Sequence, residues 1–444
     1  MISEIIYKLN AFDSNFVALS EIITAENTKK EPTIGELLKK YGEFLPVALE
    51  QLKLKDKVKK KLPSWVDAQC LFEQRAFEQC TSQRVAEWKS QYFKTSHLLS
   101  LTGGLGVDDW AWLKSGAQVI STDPNKELNH LVRCNMQRLH VQNKSYKTIS
   151  DPSKSQQVHS ANAIATDELI QNFKYTRLDY TAEEWLNSDD FKQRIPSPET
   201  KLYTVYLDPD RRKGDDRLGG KAKEFTPDFI EIIKSHFSVF NSWLVKLSPM
   251  TDIHFLQKEL PYPIRFYSIF FQGEVKELLL ELGEEIEISE FKSIYLTAEH
   301  YEMWDAGNLK QWFQLPLQDK TVDFKQKKFI FESHGGINCI GLNHHFAEFL
   351  HPVNSGKTFY LSPIQLPNSL GRSFKISHEI QGSLKQIKHK LSELNIQKAS
   401  LTARECKGLN ASEIQKKLGL TEGGNHTIFI TQNSTGFNSW VCIN

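Results

Sequence analysis

Of the 444 residues only six are cysteines (Cys70, Cys80, Cys134, Cys339, Cys406 and Cys442), and no two form a CxxC pair. That scatter argues against a disulfide framework and against a zinc knuckle. An excess of one charge is also missing: 55 Lys and Arg stand against 54 Asp and Glu, a formal +1. A globally basic nucleic-acid binder is thereby excluded, and any basic surface has to be local. No apolar run approaches the ~20 residues of a bilayer span. The opening "MISEIIYKLN" carries acid and base inside its apolar pattern and lacks a signal-peptide core. The expectation is a reduced cytoplasmic protein, with a length that points to about three domains.

What is present is rhythm. Residues 1–95 read as a helical N-terminal region, where "IGELLKKYGEFLPVALEQLKLKDKVKKKLPSW" repeats apolar residues at three- and four-residue spacing until Pro63. Lys55, Lys57, Lys59, Lys60 and Lys61 form a basic run there, either a solvated helix face or an RNA-backbone contact. In "CTSQRVAEWKSQYF", Thr81 or Ser82 can cap the next helix. From Leu98 the pattern alternates. "HLLSL", "AQVISTD", "YTRLDY", "LYTVYLDPD" and "SWLVKLSP" read as strands with helices between them, and "IRFYSIFF" and "ELLLEL" as a closing pair. This is the signature of an α/β doubly wound sheet, expected over 96–283. The polar stretch 151–165 reads as an inserted loop. Smaller α+β units are expected over 284–372 and 373–444. His334, His344, His345 and His351 fall on different elements without an HxxxH spacing, so they read as structural or surface histidines, with no metal. Trp88, Trp110 and Trp112 recur at helical spacing and read as core.

The stretch "LLSLTGGLGVDD" crowds three glycines (Gly103, Gly104, Gly106) behind the first strand. In a parallel sheet, ligands lie beyond the carboxyl ends of the strands, and a glycine turn there exposes backbone amides at a helix start. The second strand ends in Asp123, an acid placed to take both hydroxyls of a ribose. A dinucleotide turn wants GxGxxG to make room for pyrophosphate, and "GGLG" does not fit it.

Strand, glycine turn, acid-ended strand and the later "LDPD" together resemble a class I S-adenosylmethionine-dependent methyltransferase with a Rossmann-like sheet. The ordered set "LTGGLGVDD", "YLDPDRR", "LVKLSPMTDI" and "VKELLLEL" is similar to a bacterial group of methyltransferases with a C-terminal THUMP-like domain, itself distantly similar to the trimethylguanosine synthase family. "KKLPSW", "FESHGGIN", "GRSFKI" and "TARECKGLNASEIQKKLGLTEGGNHTIFIT" fit the same group, so the resemblance covers nearly all of the chain beyond residue 55. It implies a ferredoxin-like region over 284–372 and a THUMP-like domain over 373–444.

For the cofactor, S-adenosyl-L-methionine, the resemblance implies a seat on Thr102, Gly103, Gly104, Leu105 and Gly106, with Asp123 and Pro124 at the ribose and Asp179 by the adenine amine. One position departs from the pattern: the first-strand acid is Ser100, and Asp108 or Asp109 can stand in for it. "YLDPDRRKGDDR" follows the fourth strand, where amino-methylating relatives carry [DN]PP and an aromatic. Asp208 and Pro209 keep the first half, and Asp210 and Arg211 replace the second. Asp208 is the expected acceptor of the amine's hydrogens. Arg211 or Arg212 can stack on a base or grip a phosphate. Lys246 or Ser248, at the end of the fifth strand, can face the substrate. The implied function is methylation of a base amine, guanine N2 first, in a structured RNA such as rRNA or tRNA. Two alternatives stand beside it: a non-catalytic RNA-binding protein that keeps the fold, and a methyltransferase acting on a protein or small molecule.

Overall fold

The computed structural model describes residues 8–11, 13–24, 32–149, 174–211, 225–318, 327–434 and 436–443. The 151–165 stretch and Arg212 lie outside them. The chain divides into two compact units. One is Met1–Leu247 with His254–Tyr262 and Leu280–Glu287, and the other is Ser248–Ile253, Pro263–Leu279 and Ile288–Asn444.

The first unit begins with helices α1 (Ser14–Thr24), α2 (Ile34–Tyr41), α3 (Leu45–Lys61), α4 (Pro63–Asp67), α5 (Gln74–Gln79) and α6 (Gln83–Tyr92). Pro63 starts α4, where its missing N–H costs nothing. Lys59, Lys60 and Lys61 close α3, where cations suit the carbonyl end of the helix. Strand β1 (His97–Ser100) then enters the sheet, followed by α7 (Val107–Ser115), β2 (Gln118–Thr122), α8 (Lys126–Ile149), β3 (Tyr175–Leu178), α9 (Ala182–Leu186), α10 (Asp189–Arg194) and β4 (Tyr203–Leu207). A two-residue ribbon, β5 (Asp210–Arg211) with β6 (Phe225–Thr226), precedes α11 (Phe229–His236), β7 (Ser242–Leu247) and α12 (Ile253–Glu259).

All four pairings in the order β7-β4-β1-β2-β3 are parallel. The order reverses between β1 and β4, the switch point at which such sheets hold ligands. The N-terminal helices are not an appendage. Leu54, Val58 and Trp65 share one buried cluster with Leu105, Val107 and Trp110 of the glycine turn and α7, and with Val132 and Met136 of α8. Trp88, Trp110 and Trp112 are all buried.

The second unit holds β8 (Arg265–Phe271), parallel to β10 (Glu290–Leu296), with β9 (Glu274–Gly283) beginning in this unit and β11 (Tyr301–Trp304) antiparallel to β10. Helix α13 (Ala306–Gln318) leads to β12 (Phe329–Ser333), α14 (Gly335–Cys339), β13 (His351–Pro352) and β14 (Phe359–Ser362). These strands join β15 (Gly371–Gly382), β16 (Ser400–Arg404), β17 (His426–Asn433) and β18 (Gly436–Ile443) in a seven-stranded sheet, order β13-β14-β12-β15-β18-β17-β16. Helices α15 (Leu384–Glu393) and α16 (Ala411–Leu418) carry full capping boxes at Ser383/Gln386 and Asn410/Glu413. They pack Ile387, Leu391, Ile414 and Leu418 onto Ile428, Ile430 and Val441 of the sheet. His334 is buried, caps α14 and stacks on Phe270 at 4.2 Å; burial lowers its pKa to about 4. Among the described residues no helix is long and apolar enough to cross a membrane, and no cluster of three metal-ligating side chains forms.

Candidate active site

At the switch point a cavity of about 580 Å³ opens over the carboxyl ends of β1, β2 and β4. The glycine turn forms its floor. Gly104 and Gly106 take positive φ (49° and 81°), the latter as the residue that starts α7. Gly103 has no room for a side chain: a Cβ would lie 1.8 Å from Arg177 Nη1 and 2.2 Å from Ser121 Oγ. Thr102, Leu105, Asp123 and Pro124 also line the space.

Asp123 Oδ2 accepts the Gly104 N–H (3.0 Å) and Oδ1 the Asn125 N–H (2.9 Å), so both oxygens are aimed and each keeps a lone pair. Arg177 explains the crowding at Gly103. Its guanidinium, fully buried, donates to Ser121 Oγ (2.8 Å), Asn129 Oδ1 (2.6 Å) and Gly104 O (2.8 Å), and lies 3.4 Å from Asp109 Oδ2. Strand register puts Arg177, Ser121, Ser100 and Tyr206 in one row across β3, β2, β1 and β4. The two acids of α7 press on that row, Asp109 at Arg177 and Asp108 at Tyr206. Asp108 Oδ2 accepts from Tyr206 (3.0 Å) and Thr81 (2.9 Å), and Oδ1 lies 2.8 Å from the wholly buried Lys89 of α6.

Their environments split the two carboxyls. Burial pushes Asp109 above the ordinary range, opposed by the Arg177 charge and by the Ser121 and Ser100 hydroxyls beside it. Burial acts on Asp108 too, but Lys89 and Lys246 outweigh it and bring that carboxyl below the ordinary range. Asp108 and Asp109 thus lie in the cavity wall next to Ser100, each already tied to a cation.

On the other side Asp208 follows β4 directly. Its N–H donates to Thr102 Oγ1 (2.5 Å), and its Oδ2 accepts from Lys246 Nζ at 2.6 Å. Burial raises this carboxyl above its ordinary range, although Lys246 pulls it down. Asp210 completes this rim, 3.5 Å from Arg75 of α5. Pro209 sits between the two acids; Arg211 belongs to β5 by its backbone.

The structure therefore gathers Thr102 to Gly106, Asp108, Asp123, Pro124 and Asp208 around one cavity. Asp179 is not in its lining: its Oδ1 accepts from Asn129 (2.8 Å) and Arg133 (2.8 Å), while Thr181, Ala182 and Glu183 face the space there. Lys246 is turned to Asp208. Thr81 does not cap α6, where Ser82 holds the N-cap position; its hydroxyl goes to Asp108. Sequence reading missed Arg177, Lys89, Tyr206, Glu73, Arg75 and Glu183. The only signal for Arg177 and Lys89 was a charged residue inside an otherwise apolar pattern.

Seven carboxylates line the cavity (Glu73, Asp108, Asp109, Asp123, Glu183, Asp208 and Asp210) with one lining cation, Arg75, among the described residues; Lys89, Arg177 and Lys246 behind them offset part of the charge, and a smaller acid excess remains. Such a lining suits a ligand that carries positive charge and hydroxyl or amine donors, and it repels pyrophosphate.

The fold is that of a class I methyltransferase carrying a C-terminal THUMP-like domain. Residues 371–443 match the family model described as THUMP domain-like. A candidate methyltransferase from Porphyromonas gingivalis W83 aligns over 98% of this chain and 99% of its own, with TM-score 0.66 at 19% identity. An rRNA methylase from Streptococcus thermophilus covers 45% of this chain and 94% of its own (10% identity, TM-score 0.25). A predicted O-methyltransferase from Agrobacterium tumefaciens covers 45% and 78% (10%, 0.27). No curated protein matches the chain.

Proposed function

We propose that the chain is an S-adenosylmethionine-dependent methyltransferase that modifies a base amine, guanine N2 first, of a structured RNA. The carrying observation is the acid-lined cavity at the switch point with Asp208 on its rim. The residues present fit the cofactor. The glycine turn offers a floor without side chains, Asp123 offers two aimed acceptors for ribose hydroxyls, and the carboxylate excess matches a sulfonium and an ammonium. When bound, that cofactor supplies an electrophilic methyl group.

The protein's part in transfer is mainly alignment and exclusion of water. Asp208 accepts hydrogens of the amine and so turns its lone pair toward the methyl. Thr102 fixes the backbone of Asp208.

The same acid excess that suits the cofactor repels RNA phosphate, so the phosphates have to be held elsewhere. Exposed Lys385, Lys388, Lys416 and Lys417 on α15 and α16 of the THUMP-like domain are the groups available for it. Lys390 is less so, because Glu393 pairs with it at 2.8 Å. The acid lining equally suits a small cationic amine as acceptor, which keeps a small-molecule methyltransferase as the second reading.

Incubation with methyl-labelled S-adenosylmethionine and total cellular RNA, protein or small-molecule extract separates these readings. Label in RNA is the expected result. Label only in another fraction would replace the RNA acceptor, and label in none would return the chain to a binding role.

A further inference from the structure

We propose, on the basis of that reading, that Lys246 is the positioning residue of the transfer step: it ties one oxygen of Asp208 so that the other is presented to the acceptor amine. The geometry comes from the sheet itself. Strands β4 and β7 are parallel with Leu207 opposite Val245, which brings the next residues out, Asp208 and Lys246, level at the cavity edge. Lys246 Nζ then donates to Asp208 Oδ2 at 2.6 Å. With the Asp208 N–H on Thr102 Oγ1, the residue is held at backbone and at one carboxylate oxygen. Oδ1 has no partner among the described residues.

An aimed acceptor oxygen is what transfer to an amine requires. The nitrogen lone pair forms the new N–C bond as the methyl carbon–sulfur bond breaks, with that bond's electron pair staying on sulfur. The proton displaced from nitrogen passes to Asp208 Oδ1 and from there to bulk water. A protonated Asp208 would offer a donor where an acceptor is needed, so its charge matters as much as its direction.

Three charged groups face Asp208, from three elements. Lys246 of β7 and Lys89 of α6 favour the carboxylate, while Asp108 of α7 opposes it along with burial. Lys89 is itself spent on Asp108 at 2.8 Å. Lys246 is the nearer cation and the one bonded to the reacting carboxylate, so its loss leaves burial and Asp108 to push Asp208 further up.

The test is the pH dependence of labelled methyl transfer, with full-length wild type, Lys246→Met, Lys246→Gln and Lys246→Arg acting on RNA from cells lacking the protein. S-adenosylhomocysteine affinity, read by calorimetry, reports whether each variant keeps its cofactor site. The expected result is unchanged affinity in all three. The acid limb should move to higher pH by about 1 unit or more in the Met and Gln variants, the range an opposite charge exerts at this distance, and the Arg variant should stay near wild type. An acid limb that coincides with wild type in the Met and Gln variants, or a uniform loss at every pH, overturns the positioning role and leaves the proposed function standing. Wild-type protein that labels no RNA overturns the proposed function, and the positioning role with it.

Discussion

Asp123 takes two backbone N–H groups, lies 3.7 Å from the buried Arg177 guanidinium and still has a lone pair on each oxygen, so its substitution bears first on ligand binding and second on the charge beside Arg177. Two hydrogen bonds to an ionised acceptor contribute about 1.5–3 kcal/mol each. Asp123→Ala should therefore weaken S-adenosylhomocysteine binding at least tenfold by calorimetry, while circular dichroism shows a folded protein. Unchanged affinity would remove Asp123 from the site. Asp208→Ala should do the opposite, abolishing labelled transfer with affinity nearly intact, since the proposed role of the carboxylate is toward the acceptor. Wild-type turnover by this variant would end the amine-acceptor mechanism. The place of these two acids at the strand ends was legible in the sequence because strand ends and glycine turns are local signals. Lys89 and Arg177 were not, because a lysine in an amphipathic helix and an arginine in a strand read as solvent-facing until the partner arrives from another element. Here Asp108 and Asp109 of α7 are those partners.

At the scale of elements, the start of α7 is clamped to the sheet by a buried polar row rather than by apolar packing alone. Removing one member of a buried ion pair leaves an uncompensated charge and costs about 3–5 kcal/mol. Arg177→Ala, which strands Asp109, should show that loss in urea denaturation, and adding Asp109→Asn should recover part of it. Equal stability of the single and double variants would show that the two side chains are not coupled. Gly103→Ala tests the same row from above, because its Cβ would collide with the Arg177 guanidinium. Lower melting temperature together with weaker S-adenosylhomocysteine binding is expected, and wild-type behaviour in both would mean that Arg177 yields without consequence. The alternation of strands and helices up to β7 was plain from periodicity. β10 and β11 were not read, since "EFKSIYL" mixes charged and apolar residues without clean alternation and β11 is short and largely exposed.

Taken as a whole molecule, a net charge of +1 hides an uneven placement of charge: the first unit gathers carboxylates around a cavity and the THUMP-like domain exposes lysines on two helices. Composition alone could not show this, because the opposite charges are pooled in one count. Each phosphate neutralised adds roughly 0.9 to the salt slope of duplex binding and about 0.7 for single strands. Lys385→Glu with Lys388→Glu should flatten the salt dependence of RNA binding in a filter assay and spare S-adenosylhomocysteine affinity. An unchanged slope would move the RNA contact elsewhere, with the run from Lys57 to Lys61 next to be tested. Whether this acid-lined cavity methylates RNA is read by nucleoside mass spectrometry. RNA from cells lacking the gene is incubated with trideuteromethyl-labelled S-adenosylmethionine and either wild-type protein or Asp208→Ala, then digested to nucleosides. One labelled nucleoside, N2-methylguanosine first, is expected with wild type and none with the variant. Labelled nucleoside formed equally by both proteins, or by neither, would contradict RNA methylation at this cavity.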